Sequence, residues 1–348
     1  MDKYLVVALV SFFLSLGGVL LALKIFPRLK LMDRPKKYGL NRAPIPYYGG
    51  IVIFLVFLIA VAVFVPFTSH VMWLVGVAGV IALTGFLDDY FSLPPIVRLL
   101  VQIACGVVIA LAGVYVLSIS SPFGGSLKLD SYFLYGIPVF GALFTIFWVV
   151  LITNSMNFLD GVGGLSSGVS SIAFFTLFAL SIRPDLHTNI ASQEIVATIS
   201  LILALITFAF AIFDFPKSKI LMGDTGSTFL GFMLAALSLF SGGKIATAFI
   251  VLGIPILDAF WVILRRIFEG KKPWHGDLKH LHHRFLSLGL KASTVLIIIY
   301  AISVVFGGLA VFSSNSKQKF SVIIGLFVLM FVMAIGLIRK GKGKNSLK

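Results

Sequence analysis

Carboxylate and amide side chains gather at three short polar interruptions of an otherwise apolar chain. These stretches are 86–90 (FLDDY), 154–164 (NSMNFLDGVGG) and 221–228 (LMGDTGST). Neighbouring carboxylates such as Asp88 and Asp89 repel each other strongly unless a cation lies beside them. Their oxygen atoms suit Mg²⁺, which takes one or two carboxylates together with substrate phosphates. The three stretches therefore indicate phosphoryl chemistry assisted by a divalent cation.

The stretch 221–228 also places Asp224 and several backbone N–H groups at the start of the next apolar segment. A helix start attracts anions through its unpaired donors and its dipole. The alternative is that all three stretches are helix caps and turns, which explains Asn and Gly better than it explains the acids. Neutralisation of nearby cations is the simpler interpretation for three other acids, Asp33, Asp214 and Glu269.

The composition shows which class of protein must position these groups. The chain has 348 residues, of which 59% are hydrophobic and 12% charged, and its mean hydropathy is +1.07. This excludes an ordinary soluble globule. Because a helix satisfies its own backbone in lipid, we predict an all-α, polytopic membrane protein with one transmembrane domain over 1–348 and about eleven helices. The predicted spans are 4–26, 49–67, 71–87, 96–117, 134–153, 165–182, 195–213, 228–240, 245–264, 293–313 and 320–338.

The basic residues are distributed unequally between the two ends of these spans. One set of ends carries 22 of the 28 Lys and Arg residues, and the opposite set carries 6. Because basic loops stay in the cytoplasm, we predict an outside N-terminus and a cytoplasmic C-terminus in the plasma (inner) membrane. The catalytic loops at 27–48, 88–95, 154–164, 214–227 and 265–292 would then be cytoplasmic. The net charge of +15 needs no nucleic acid, because basic loops also attract anionic lipid and anionic substrates.

The motifs NFLDG, GDTGST, the aspartate pair and the later HLHH resemble, in matching order over about 33–290, the polyprenyl-phosphate N-acetylhexosamine-1-phosphate transferases. These membrane enzymes move a sugar-1-phosphate from a UDP-sugar onto undecaprenyl or dolichyl phosphate. The resemblance implies a Mg²⁺-dependent transferase, with Mn²⁺ as the alternative ion, that releases UMP in the first membrane step of cell-envelope polysaccharide synthesis. HLHH followed by Leu-Gly-Leu favours the GlcNAc-1-phosphate branch over phospho-MurNAc-pentapeptide transfer in peptidoglycan synthesis. A homodimer is left open.

The resemblance also implies roles for individual residues. Asp224 and Asn157 correspond to metal ligands, and Asp88, Asp89 and Asp160 to catalytic acids. The implied substrate-binding residues are Lys36, Lys37, Asn154, Thr225, Ser227, His280, His282, His283 and Arg284. On a helix, His280 and His283 would share one face and His282 would be turned away. Zinc is the alternative for this cluster, although without Cys and with only Asp277 nearby the ligand set is incomplete.

The chain departs from the family pattern in two places. In the first loop of relatives an Arg-Lys-x-His motif is frequent, and its positions here hold Tyr38, Gly39 and Asn41. The basic residues have shifted to Lys36, Lys37 and Arg42, which leaves open how the lipid phosphate is held. Some relatives also have a second acid three positions after Asp160, where this chain has Gly163.

Asp258 lies inside an apolar span, where an ionisable group is by default a functional hypothesis. The alternative is an internal ion pair with Arg265 or Arg266 that fixes helix packing. A second class of function is a secondary transporter or lipid flippase, which would have polar groups at the membrane midplane and paired repeats. Here nearly all the acids lie at one face, so the sequence favours the enzyme.

Overall fold

The computed structural model describes residues 2–35, 42–121, 123–183, 190–240, 245–270 and 280–345. Within them the chain forms helices and two short antiparallel strand pairs. The helices are α1 (Asp2–Arg28), α2 (Gly49–Phe64), α3 (Ser69–Phe91), α4 (Pro95–Leu111), α5 (Val139–Leu159), α6 (Leu165–Ser181), α7 (Ile190–Asp214), α8 (Gly223–Phe240), α9 (Ile245–Val251), α10 (Gly253–Phe268), α11 (Leu281–Ser287), α12 (Ala292–Phe312) and α13 (Ser316–Asn345). The strand pairs are β1 (Ser118–Ser120) with β2 (Ser126–Lys128) and β3 (Phe133–Leu134) with β4 (Ile137–Pro138). The predicted all-α class is confirmed.

Among the described helices, six are long and apolar enough to cross a membrane: α1, α3, α5, α7, α12 and α13. The pair α9 and α10 makes a seventh candidate if the two form one span, and α2, α4 and α6 are apolar but shorter. These helices give the chain the fold of a multi-pass membrane protein. The number of eleven spans and the orientation of the termini stay predictions.

The span predicted at 245–264 is two helices that meet at an angle of 79°. α10 begins at Gly253, two residues before Pro255. Proline lacks an N–H group and clashes with the preceding turn, so it is tolerated in the first turn of a helix but not in the interior. A Cβ atom at Gly253 would also overlap the Leu326 side chain of α13. The chain therefore starts a new helix here, and α10 carries Asp258.

The connection between α4 and α5 is longer than the sequence predicted, because both strand pairs lie within it. Gly113 and Gly136, with φ angles of +86° and +79°, form turns in a region of backbone conformation that favours glycine. These turns follow the end of α4 at Leu111 and precede the start of α5 at Val139.

α8 lies at the centre of the described helices, and its side chains are buried from Thr225 to Leu239. Glycines on the neighbouring helices allow a close approach of backbones. A Cβ atom at Gly50 of α2 or at Gly85 of α3 would overlap the backbone of the first turn of α8. α3 therefore passes directly beside the start of α8, and the carboxylates one turn beyond Gly85 reach that helix start.

Candidate active site

The ends of α3 and α5 and the start of α8 bring the predicted acidic and amide side chains into one cluster. Asp88 and Asp89 lie in the last turn of α3, Asn157 in the last turn of α5, and Asp224 in the first turn of α8. A cleft of about 310 Å³ adjoins the cluster. Besides the acids of this cluster, its polar lining includes Arg34, Tyr47, Tyr48, Tyr90 and Arg98.

Asp89 caps the start of α8. Its carboxylate accepts hydrogen bonds from the backbone N–H groups of Asp224 at 2.8 Å and Thr225 at 3.0 Å, and from the Thr225 hydroxyl at 2.6 Å. The Tyr47 hydroxyl donates a further bond at 2.9 Å. Burial raises the pKa of Tyr47 far above its ordinary range, and the Asp89 charge raises it further, so this hydroxyl stays a donor. The Asp224 and Thr225 N–H groups predicted to meet an anion therefore already meet Asp89.

Arg98 in the first turn of α4 joins Asp88 to Asp224. Its Nη1 atom lies 2.5 Å from Asp88 Oδ2 and 3.0 Å from Asp224 Oδ2. Asp88 also accepts a bond of 2.7 Å from the Leu93 backbone N–H. Arg98 was not among the predicted site residues, because its only sequence signal is a single basic residue at the start of an apolar segment, ten positions after Asp88.

Asn157 contacts the same carboxylate from the other side. Its Nδ2 atom donates to Asp224 Oδ1 at 2.8 Å and to Ser227 Oγ at 3.1 Å. Asp224 is thus surrounded by an amide and a guanidinium group, with Asp88 close by. Carboxylate and amide oxygens are the donors that Mg²⁺ prefers, and one arginine cannot balance all of these acids. The donor set therefore fits a divalent cation, although no cluster of three His, Cys or acidic ligands occurs among the described residues.

Asp160 follows α5 directly and is half-buried. Burial raises the pKa of its carboxyl group well above the ordinary value, and the charges of Asp214, Asp224 and Asp89 raise it further. The side chain can therefore hold a proton at a pH at which an exposed aspartate would be ionised.

Asp214, at the end of α7, is buried beneath the loop that follows Asp160. It accepts hydrogen bonds from the hydroxyls of Ser167 at 3.0 Å and Ser218 at 2.7 Å. Among the described residues its hydrogen-bond partners are these hydroxyls and the Gly164 backbone N–H, so the interpretation that Asp214 neutralises cations finds no support. A Cβ atom at Gly163 would overlap Ser218 Oγ and lie 3.1 Å from Asp214 Oδ1, so Asp214 supplies a carboxylate directly beside the position where some relatives have an acid.

Asp33 and Glu269, the other two acids that were interpreted as neutralising cations, are each paired with an arginine. Asp33 lies 2.5 Å from the Arg42 guanidinium group, and Glu269 lies 3.6 Å from that of Arg265.

The histidine segment, residues 280–283, packs against the loop that contains Asp160. His280 precedes α11 in an extended conformation, so helical spacing does not apply to it. Its ring is parallel to the ring of His282 within 3°, at a centroid distance of 5.7 Å. The prediction that His282 is turned away is therefore wrong.

His282 is 1% exposed, and neither of its ring nitrogens has a hydrogen-bond partner among the residues that the structure describes. A Cβ atom at Gly161 would lie 2.6 Å from His282 Nε2 and 3.2 Å from His283 Nε2. Burial lowers the pKa of His282 to about 3, and the neighbouring His283 and His280 contribute to the shift. The uncharged ring nitrogens of His282 therefore lie beside Gly161, in the loop that contains Asp160.

Asp258 of α10 is paired with this segment. Asp258 Oδ2 lies 2.8 Å from His280 Nδ1, and Asp258 Oδ1 accepts a bond of 2.8 Å from the Leu281 backbone N–H. The alternative of an ion pair with Arg265 or Arg266 is therefore replaced by a contact with His280.

The remaining predicted substrate-binding residues lie in different places. Asn154 donates to Gln102 Oε1 at 2.5 Å and to the Val150 carbonyl at 2.8 Å, so its amide joins α5 to α4. Ser227 donates to the Gly223 carbonyl at 3.1 Å within α8. Arg284 lies in α11. Two other predicted residues, Lys36 and Lys37, and the departures Tyr38, Gly39 and Asn41 lie outside the described residues.

Comparison with known proteins identifies one matching family. Residues 70–242, which include the aspartate pair, NFLDG and GDTGST, match Glycosyl transferase family 4. This range covers the ends of α3 and α5 and the start of α8, where the cluster lies.

Curated relatives match nearly the whole chain. A probable undecaprenyl-phosphate N-acetylglucosaminyl 1-phosphate transferase of Bacillus subtilis is 30% identical over 346 residues, covering 96% of this chain and 92% of the relative. A decaprenyl-phosphate N-acetylglucosaminephosphotransferase of Mycobacterium tuberculosis is 30% identical, covering 90% and 84%. An undecaprenyl-phosphate alpha-N-acetylglucosaminyl 1-phosphate transferase of Escherichia coli is 27% identical, again covering 90% and 84%.

Proposed function

Because the chain belongs to glycosyl transferase family 4, the polyprenyl-phosphate N-acetylhexosamine-1-phosphate transferases, we propose that it transfers GlcNAc-1-phosphate from UDP-GlcNAc to undecaprenyl phosphate and releases UMP. The observation that carries this proposal is that Asp88 and Asp224 meet at Arg98 while Asn157 bonds to Asp224, all at adjoining helix ends. Such a cluster can hold a divalent cation and two phosphates at the end of a membrane helix bundle. The names of the relatives support GlcNAc over the MurNAc-pentapeptide as the transferred group.

In this reaction an oxygen of the lipid phosphate forms a bond to the β-phosphorus of the UDP-sugar. The bond between that phosphorus and the bridging oxygen breaks, and UMP leaves with the electron pair. The work of the protein is positioning and charge stabilisation, as is usual in phosphoryl transfer. Asp224 and Asn157 would hold Mg²⁺, or Mn²⁺ in its place. When bound, the ion would neutralise the charge of the diphosphate.

Each remaining residue of the cluster has a task in this scheme. Arg98 would bind a phosphate oxygen through the guanidinium donors that do not contact Asp88 and Asp224. Asp88 would orient the incoming phosphate or accept its remaining proton, which leaves with a pKa of about 6, so a strong base is not needed. Asp89 would act by holding the start of α8.

The histidine segment would bind the nucleotide side of the substrate. The nitrogens of His282 beside Gly161 have no hydrogen-bond partner in the described part of the chain. They support this assignment, because buried imidazole nitrogens are costly unless a hydrogen-bonding group meets them. Arg284 would add charge there. We place this site on the cytoplasmic face of the plasma membrane, where UDP-sugars are available to it.

A panel of UDP-sugars incubated with the purified protein, Mg²⁺ and undecaprenyl phosphate tests the proposal. We expect UMP release that depends on the lipid, and a lipid product whose mass has increased by that of GlcNAc-phosphate. UMP release without lipid, or none with any UDP-sugar, would contradict the proposal; the latter would favour a transporter. Labelled UMP distinguishes direct attack from a covalent carboxylate intermediate, because only the covalent route exchanges label into UDP-GlcNAc without lipid.

A further inference from the structure

Asp258 is a buried carboxylate that the proposed reaction does not use. The residue is 7% exposed and lies in α10, six positions after the bend at Leu252. Its two oxygens contact different groups, since Oδ2 lies 2.8 Å from His280 Nδ1 and Oδ1 accepts the Leu281 N–H at 2.8 Å. A buried carboxylate without such partners would be strongly unfavourable. Asp258 therefore connects the bent helix to the histidine segment.

His280 is held on three sides by described residues. Because Asp258 accepts the proton on Nδ1, the tautomer of the neutral ring is fixed, with Nε2 unprotonated. The ring contacts Phe158, the neighbour of Asn157, at a centroid distance of 5.7 Å and stacks on His282 at 5.7 Å. The ring hydrogen bond to Asp258 uses Nδ1, so Nε2 is the ring nitrogen that can meet a ligand.

We propose that Asp258 is a positioning residue for the nucleoside diphosphate part of the substrate, acting through His280 and the stacked ring of His282. This inference rests on the proposed function. With Nδ1–H held by the Asp258 carboxylate, the unprotonated Nε2 is a hydrogen-bond acceptor for an O–H or N–H group of the nucleoside. Asp258 itself touches neither substrate nor metal.

The variant Asp258→Asn separates this role from a purely structural one. The amide oxygen can still accept the Leu281 N–H bond, and the side chain keeps its size, so the anchoring of α11 is preserved. The contact with His280 changes, because an amide NH₂ group donates to Nδ1 and carries no charge. A structural role predicts little change in substrate binding, whereas the positioning role predicts a loss.

The experiment measures UMP affinity, both substrate KM values, kcat and the midpoint of thermal unfolding of the purified full chain. For Asp258→Asn we expect UMP affinity and kcat/KM for UDP-GlcNAc to fall by about 10- to 100-fold, the loss expected when one buried hydrogen-bonding group is left unpaired. The KM for undecaprenyl phosphate and the unfolding midpoint should stay near the wild-type values. Because the two residues act as one unit, adding Asp258→Asn to His280→Ala should cause no further loss.

Glu269→Gln is the matched control, since it removes a carboxylate just beyond the end of α10 that pairs with Arg265, and it should bind UMP as the wild type does. Unchanged UMP binding by Asp258→Asn in an active enzyme would overturn the inference, as would losses that multiply with those of His280→Ala. If the amide variant does not fold, Asp258→Glu gives the same test, because it displaces the carboxylate by one methylene. A wild-type chain that turns over no UDP-sugar would instead overturn the proposed function, and this inference with it.

Discussion

Asp89 accepts a hydrogen bond of 2.8 Å from the backbone N–H of Asp224, and so it caps the helix that carries the central acid of the cluster. Asp88, the next residue in sequence, makes no such cap and contacts Arg98 at 2.5 Å. Two adjacent aspartates therefore have different physical tasks. One positions the backbone of α8, and the other contributes charge to the cleft.

This division predicts different consequences for the two amide variants. Asp89→Asn turns an NH₂ group or a weaker acceptor toward two backbone N–H donors, so it should destabilise the start of α8 by about 1–2 kcal/mol, the typical value of a helix cap. Asp88→Asn keeps the cap and should reduce turnover with a smaller change in thermal unfolding. Unfolding midpoints and UMP release, measured for both proteins, check this. Equal losses of stability would contradict it.

The metal requirement gives a second prediction. Asp224→Asn should nearly abolish turnover while the protein still folds and inserts, because the change creates no cavity in the core. Activity of the wild type should disappear in EDTA and return with Mg²⁺ or Mn²⁺. Asp130→Asn, an acid in the connection between α4 and α5, is the control and should behave as the wild type. Full activity in EDTA would exclude the metal.

Much of the site could be predicted because successive membrane helices run in opposite directions, so that every second loop lies at the same end of the helices. Asp88, Asn157 and Asp224 each lie where an apolar segment ends or begins, and the structure brings all three together. Arg98 could not be recognised in the same way. A single arginine beside an apolar segment looks like an ordinary cytoplasmic charge, and only the packing of α4 against α3 shows that it meets two carboxylates.

The bend before α10 illustrates a different limit. Because the apolar composition continues through 245–264, hydropathy predicts a single helix there, although Gly253 and Pro255 are local signals of a break. The partner of Asp258 could not be predicted either. Sequence spacing suggested an ion pair with Arg265 or Arg266 on the same helix as one of two interpretations, whereas the structure brings His280 from another segment to the carboxylate. Contacts between segments distant in sequence are not encoded in local spacing.

The predicted orientation can be tested with single cysteines in a Cys105→Ala background, since Cys105 is the single cysteine of the chain. Cysteines at Arg28 and Ser287, both exposed, should react with an impermeant reagent only from the cytoplasmic side. A cysteine at the exposed Ser126 should react only from outside. The reason is the unequal distribution of basic residues. Labelling of Ser287→Cys from outside would place the histidine segment and the first loop on opposite faces.

Acid sensitivity should be traceable to His282. Its pKa is lowered to about 3 in the folded protein, whereas an unfolded chain protonates its histidines near 6.5. The unfolded state therefore binds more protons than the folded state between these values, and stability falls as the pH drops below about 6.5. At pH 5 the contribution is roughly 2 kcal/mol.

Unfolding midpoints at pH 7.5 and pH 5 check this expectation. His282→Gln cannot take up a proton, so the difference between its two midpoints should be smaller than that of the wild type. The half-buried His283 provides the control, and His283→Gln should keep most of the wild-type difference. Equal differences in all three proteins would show that His282 is not responsible.

The last prediction concerns Gly163 and the buried Asp214. An aspartate at position 163 would bring a second carboxylate beside Asp214 Oδ1, which lies 3.1 Å from the Cβ position. Two ionised carboxylates at this range in buried surroundings repel strongly, so Gly163→Asp should lower both the unfolding midpoint and the turnover. Adding Asp214→Asn removes one charge and should restore much of the loss.

Steric crowding is separated from charge by a second pair of variants. Gly163→Ala introduces only the Cβ atom, which would overlap Ser218 Oγ, and Ser218→Ala should relieve that cost. Ser218→Ala should not rescue Gly163→Asp, because the repulsion remains. If Asp214→Asn fails to rescue Gly163→Asp while Ser218→Ala succeeds, the glycine is required for space alone. Rescue by Asp214→Asn would mean that the two positions share one charge, which this chain carries on α7.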